Sequence, residues 1–267
     1  MNPQVPILMY HEVAGPADTA SPLAVPPASF ADQIAALAGH GFTTVTAATL
    51  AAAWAGRASL PERPAVITFD DGFADFHQAA LPVLAEHGFT ATVFVTTGWI
   101  EDGGTAPPAA RPRPGRMLCW QQIAESAAAG IEIAAHSHTH PQLDQLPPAQ
   151  LAGELSISKR LLEDRLGAPV PGIAYPFGYS DGGVRRAVQA AGYQYACAVA
   201  NRIASPGSDR FALPRLTVGR STRPGTFARV VHGRQVPLIY ARDRSLTKGY
   251  AVVRRTRAVL NGLSRAG

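Results

Sequence analysis

The sequence predicts a distorted (β/α) barrel of seven or eight parallel strands, followed by an Arg-rich helical extension. Three observations carry this expectation. Short apolar, β-branched runs alternate with helical segments that stop at glycine, the pattern of a parallel sheet wrapped by helices. Polar clusters repeatedly follow strand ends, where barrel enzymes hold their chemistry. The glycine fingerprint of an open dinucleotide-binding sheet is absent after the first strand.

Residues 5–10 form the first apolar run and end at His11. Residues 15–27, rich in Pro, Ala and Ser, read as a surface loop. Ser29 reads as the N-cap of a helix with Phe30, Ile34 and Leu37 on one face, closed by Gly39 and Gly41. A short strand at 43–45 and a helix at 47–55 lead to Pro61 and Pro64. The next run, 65–69, is apolar, β-branched and buried in character. After Gly72 a helix carries Phe73, Phe76, Ala80 and Leu84 and stops at Gly88. Strands are expected at 90–96, 131–135, 171–175, 195–199 and 213–218, with helices at 119–129, 147–166 and 184–191 between them. The Gly- and Pro-rich stretch 98–115 is a long loop and a candidate substrate loop.

Composition bounds the rest. With 46% hydrophobic and 16% charged residues, the 267-residue chain is globular rather than disordered. It divides into a barrel over 1–221 and a basic extension over 222–267. The net charge of +5 is concentrated beyond Arg210. With no recognition motif or interleaved aromatics there, nucleic acid is not an expected partner. The tail, notably 248–263, reads as a solvated helix packed on the barrel, with peripheral contact to an anionic membrane surface or a partner protein as the alternative. Neither a leader after Met1 nor a bilayer-length apolar run is visible, so a cytoplasmic chain is expected. Cys119 and Cys197, the only cysteines, read as buried thiols rather than a bridge.

The chemistry gathers at Thr68-Phe69-Asp70-Asp71-Gly72. Two adjacent carboxylates at the end of a buried strand raise each other's pKa, and a cation removes that cost. Taken alone, the pair fits a helix N-terminus equally well. The balance shifts with His136-Ser137-His138-Thr139-His140, three imidazoles in five residues after an apolar strand. One Asp and two of these His make a ligand set for a divalent ion, with the third ring turned elsewhere.

Together these two stretches resemble the polysaccharide deacetylases, carbohydrate esterase family 4. The resemblance extends to Tyr175-Pro176-Phe177-Gly178 and covers roughly residues 5–220. It implies a metal-dependent hydrolase that removes acetyl groups from N-acetylated sugars. By the same resemblance Asp70 is the general base, Asp71, His136 and His140 hold the metal, and the N–H of Phe177 faces the developing oxyanion. The implied cofactor is one divalent ion, zinc first, with cobalt, nickel, manganese or ferrous iron as alternatives. The opening Ile7-Leu8-Met9-Tyr10-His11 resembles the circularly permuted branch acting on poly-β-1,6-N-acetylglucosamine, which makes His11 the general acid.

One departure stands out. The family's usual Arg two residues before Pro176 is replaced by Ala174. Arg215, in Leu213-Pro214-Arg215, is the expected substitute for steadying Asp70; a surface arginine is the alternative. Of the aromatics near strand ends, Trp99 and Phe177 are retained as substrate contacts. Two rival functions stay open: hydrolysis of another C–N bond, as in allantoinase-like and imidase-like relatives, and a decayed sugar-binding protein.

Overall fold

Residues 7–10, 64–69, 92–95, 132–135, 172–174, 195–199 and 213–217 all lie side by side and parallel, so the strand-end clusters share one rim. The structure is a computed structural model that describes residues 3–106 and 116–243. In chain order the strands are β1 (Ile7–Tyr10), β2 (Thr43–Thr44), β3 (Pro64–Phe69), β4 (Thr92–Val95), β5 (Glu132–Ala135), β6 (Gly172–Ala174), β7 (Tyr195–Val199) and β8 (Leu213–Thr217). The sheet runs β1-β8-β7-β6-β5-β4-β3-β2, and a further parallel pairing of β1 with β3 closes it. The result is a barrel of seven parallel strands, with β2 added beside the first residues of β3. Tyr10 pairs with Phe69, which sets His11 beside Asp70 one step further along.

The barrel interior is filled by alternate residues of the strands, as such barrels require. Ile7, Val66, Phe94, Ala134, Ala174, Tyr195, Cys197 and Leu213 make this inner cluster. Gly172 makes room for the Tyr195 ring; a Cβ there would lie 2.0 Å from Tyr195 Cζ. The end of the barrel opposite the strand tips is plugged by α2 (Ala47–Trp54), which contributes Ala47 and Leu50 to the same cluster. Glu132 fixes that plug: it accepts from Tyr195 Oη (2.8 Å), Thr92 Oγ1 (2.8 Å) and Ala48 N (3.0 Å). Burial raises its pKa, with these donors acting against the rise.

A larger outer core lies between the barrel and its helices. These include α1 (Pro27–Gly39), α3 (Leu81–Glu86), α4 (Trp120–Ala128), α5 (Pro148–Leu166), α6 (Gly182–Ala190), α7 (Pro224–Val231) and α8 (Val236–Ile239). Two expected helix starts move. The first helix begins at Pro27 with no side-chain cap, so Ser29 lies inside it; proline's fixed φ suits the first helical position. The helix expected from Phe73 begins only at Phe76, with one wide turn closed by Leu81 N–H to Phe76 O; Phe73 instead pairs with Met117. Pro82, which has no N–H to donate, follows that turn.

Beyond β8 the described residues stay in contact with the barrel. Phe227, Val230, Val231, Val236 and Tyr240 are buried in the outer core, and Tyr240 Oη donates to Thr217 O at 2.7 Å. The expected helix at 248–263, and the half of the expected loop at 98–115 that follows Ala106, lie outside the described residues. Among the described residues both cysteines are free, Cys197 buried and Cys119 half-buried, and no helix is long and apolar enough to cross a membrane.

Candidate active site

The tips of β1, β3, β5 and β6 deliver His11, Asp70 and Asp71, His136 and Phe177 to one rim, where a cavity of about 830 Å³ opens. Its floor and near wall are formed by His11, Asp70, Asp71, His136, His140 and Phe177. Of the six non-glycine residues with a left-handed backbone among the described residues, five lie here: Asp71 (φ 75°), Ser137 (63°), His140 (62°), Phe177 (60°) and Asn201 (47°). Such backbone is costly and is kept where surrounding contacts over-determine it.

Those contacts are visible for the histidine loop. His136 N–H continues the sheet by donating to Val95 O, and His140 N–H donates to Ser137 Oγ at 3.0 Å. Glu154, reaching over from α5, accepts from His138 N and Thr139 N (2.8 Å each) and from Thr139 Oγ1 (2.6 Å). Sequence reasoning missed Glu154, because a half-buried Glu on an amphipathic helix looks like any solvated one. The middle imidazole turns away, as expected for one of the three. His138 Nδ1 lies 2.9 Å from Thr97 Oγ1 and its Nε2 lies 2.8 Å from Thr105 Oγ1.

His136 Nε2 and His140 Nε2 each stand 3.3 Å from the same oxygen, Asp71 Oδ1. The other nitrogen of His136, Nδ1, donates to Ala174 O at 2.9 Å, which fixes that ring with its Nε2 lone pair toward the carboxylate. All three ligand atoms lie within 4.8 Å of one another, and this is the one such grouping among the described residues. Ligands held at about 2.0–2.1 Å in tetrahedral geometry sit about 3.3 Å apart, so the two Asp71–histidine spacings suit a small divalent ion. Asp71 Oδ1, buried and without a hydrogen bond, and the two imidazole nitrogens nearest it form the donor set such an ion would complete. Burial pushes the Asp71 pKa up, and the neighbouring imidazoles more than reverse this, leaving it well below the usual range.

Asp70, 3% exposed, is engaged differently. Arg215 is fully buried and grips it with both arms, Nη1 to Oδ1 at 2.5 Å and Nη2 to Oδ2 at 2.7 Å. Arg215 also donates to Ala198 O and Thr68 Oγ1, and its guanidinium lies over the Phe94 ring at 5.4 Å. The surface-arginine alternative is therefore set aside. Ala174, where the family's usual Arg stands, carries no reach, and the charge arrives from β8 instead. Burial raises the Asp70 pKa, but Arg215, with His136 and His11, outweighs it and the net shift is downward.

His11 lines the cavity with a buried Nδ1 that has no hydrogen-bond partner among the described residues. Burial lowers its pKa, and the Asp71 and Asp70 charges only partly offset this. Phe177, 52% exposed, packs edge-on against His140 at 4.8 Å. Trp99 stacks behind the same ring at 4.9 Å and is not among the residues lining the cavity.

A family model described as polysaccharide deacetylase matches residues 57–196, which contain the Asp pair, the histidine loop and Phe177. The chain belongs to the polysaccharide deacetylase family. YxkH of Bacillus subtilis (strain 168) is 29% identical to this family member over 215 residues, 80% of this chain and 71% of that protein. The poly-beta-1,6-N-acetyl-D-glucosamine N-deacetylase of Escherichia coli (strain K12) is 27% identical over 138 residues, 49% of this chain but only 20% of the longer enzyme. The Streptococcus pyogenes deacetylase PplD, solved in complex with acetate, superposes with a TM-score of 0.77 at 26% identity. That match covers 86% of this chain and 99% of PplD.

Proposed function

We propose that this family member is a divalent-metal-dependent N-deacetylase of acetylated amino sugars, with N-acetylglucosamine polymers as the substrate class. The observation that carries the reading is the equal 3.3 Å spacing of His136 and His140 from Asp71, beside a second carboxylate held apart by Arg215. The deacetylase names of its relatives support the substrate class.

Asp71, His136 and His140 would hold the ion, zinc first. Bound there, it supplies an electrophile for the acetamide carbonyl and acidifies a water molecule. The remaining work falls to the chain. Asp70, kept ionised by Arg215 and not used as a ligand, takes the proton from the attacking water. The Phe177 N–H donates to the carbonyl oxygen as negative charge develops on it. His11 hands a proton to the departing amine. Acetate and a free amino sugar result, with no acyl-enzyme. Phe177, exposed at the mouth, is the aromatic surface for a sugar ring, and Trp99 acts through His140.

The test is acetate release from β-1,6- and β-1,4-linked N-acetylglucosamine oligomers, run beside cyclic imides. Turnover of at least one oligomer is expected, falling more than tenfold after chelation and returning with added zinc. Hydrolysis of imides without acetate release, or full activity after exhaustive chelation, would count against the reading.

A further inference from the structure

Besides Phe177 and the Asp and His residues of the reaction described above, the cavity is lined by Asn201, Thr217, Thr222, Thr226 and Tyr240, with Asp243 and several apolar side chains, and the reaction uses none of them. Asn201 differs from the rest. It is only 4% exposed and has a left-handed backbone (φ 47°), a conformation that Asn tolerates better than most residues. Its backbone N–H donates to Arg215 O at 2.9 Å, and its Oδ1 accepts from Thr217 N at 2.9 Å. The side chain thus continues the β7–β8 ladder after the backbone has turned away.

That bond decides which way the amide faces. Thr217 N–H is a donor, so the oxygen must point to it and the NH₂ group must point away. Among the described residues the NH₂ group has no partner, and the residue lines the cavity. A donor fixed in this way, in a wall otherwise rich in hydroxyls, is ready for a neutral oxygen acceptor.

We propose that Asn201 is a specificity-determining residue whose NH₂ group donates to a hydroxyl or glycosidic oxygen of the bound sugar. The proposal rests on the carbohydrate reading above but concerns binding, so it is tested apart from turnover. Affinity for an N-acetylglucosamine tetramer is measured by calorimetry with zinc present, in an Asp70→Asn background that prevents hydrolysis. Adding Asn201→Asp keeps the acceptor that Thr217 needs and removes the donor; Asn201→Gly keeps the left-handed backbone and removes the whole side chain. Each is expected to weaken binding about tenfold, the effect of one lost hydrogen bond in a desolvated site, with the melting temperature of the Asp variant within a few degrees of its background. Unchanged affinity in the Asp variant would overturn the assignment. So would an equal loss of affinity for free acetate, which marks a general disturbance of the site. Failure of the parent to release acetate from any glycan would instead sink the functional reading, and the binding comparison would still decide on Asn201.

Discussion

Asp70→Asn is expected to reduce acetate release by roughly 10²–10⁴-fold, the usual contribution of a positioned general base. The substitution is nearly isosteric. It keeps one oxygen to accept from Arg215, gives up the other acceptor and the charge that balances the guanidinium, and removes the ability to take a proton from water. Because Asp70 is gripped by Arg215 through both oxygens, it is not needed to complete the Asp71, His136 and His140 trio. The loss should therefore fall on kcat, with the KM for the oligosaccharide changing much less. A variant as active as the parent would remove Asp70 from the base role and leave the site without an obvious proton acceptor.

Arg215→Ala is expected to be the most destabilising single change at the site. Removing one partner of a buried ion pair strands the other, at a cost of roughly 3–5 kcal/mol. Here the stranded group is Asp70, and Ala198 O and Thr68 Oγ1 also lose a donor. In the parent, the lowered Asp70 pKa contributes stability above the ordinary carboxylate range, and this is lost as pH falls through the lowered value. In the variant the Arg215 charge no longer opposes burial, which raises the Asp70 pKa, and only His136 and His11 still act the other way. The penalty should then be present at neutral pH and shrink as acid protonates the carboxyl. Chemical denaturation at pH 5 and pH 7.5 checks this: the gap between parent and variant should be wider at the higher pH. Arg215→Lys should recover part of the stability, since an ammonium restores charge but not the two-pronged geometry. An equal gap at both pH values would show that Asp70 is not the group left uncompensated.

What could be read from the sequence follows from how local each signal is. The Asp pair and the histidine cluster are each a contiguous stretch, and each follows a strand whose apolar run is plain, so the sequence assigns both to strand ends on one rim. Arg215 was legible as a substitute for the missing charge at Ala174, but its burial was not, because an Arg inside a short strand gives no sign of which face it takes. Its environment is set by Phe94 and by Thr68 and Asp70, from two other strands of the barrel. Glu154 and Asn201 were missed for the same reason. One accepts from a loop about fifteen residues away, the other bonds to a strand sixteen residues on. Tyr240 belongs to a segment whose basic composition drew attention away from its buried ring. The displaced helix starts at Pro27 and Phe76 reflect proline chemistry overriding capping preference in one case and a strand-like contact of Phe73 in the other.

The central claim is that one cation is gripped by Asp71, His136 and His140 while Asp70 stands free of it. The most direct test is the number of zinc ions bound per chain, measured by elemental analysis after dialysis, for the parent, Asp70→Asn and Asp71→Ala. Close to one ion is expected in the parent and in Asp70→Asn, and close to none in Asp71→Ala. Zinc retained by Asp71→Ala, or lost from Asp70→Asn with the fold intact, would contradict the assignment of the two carboxylates.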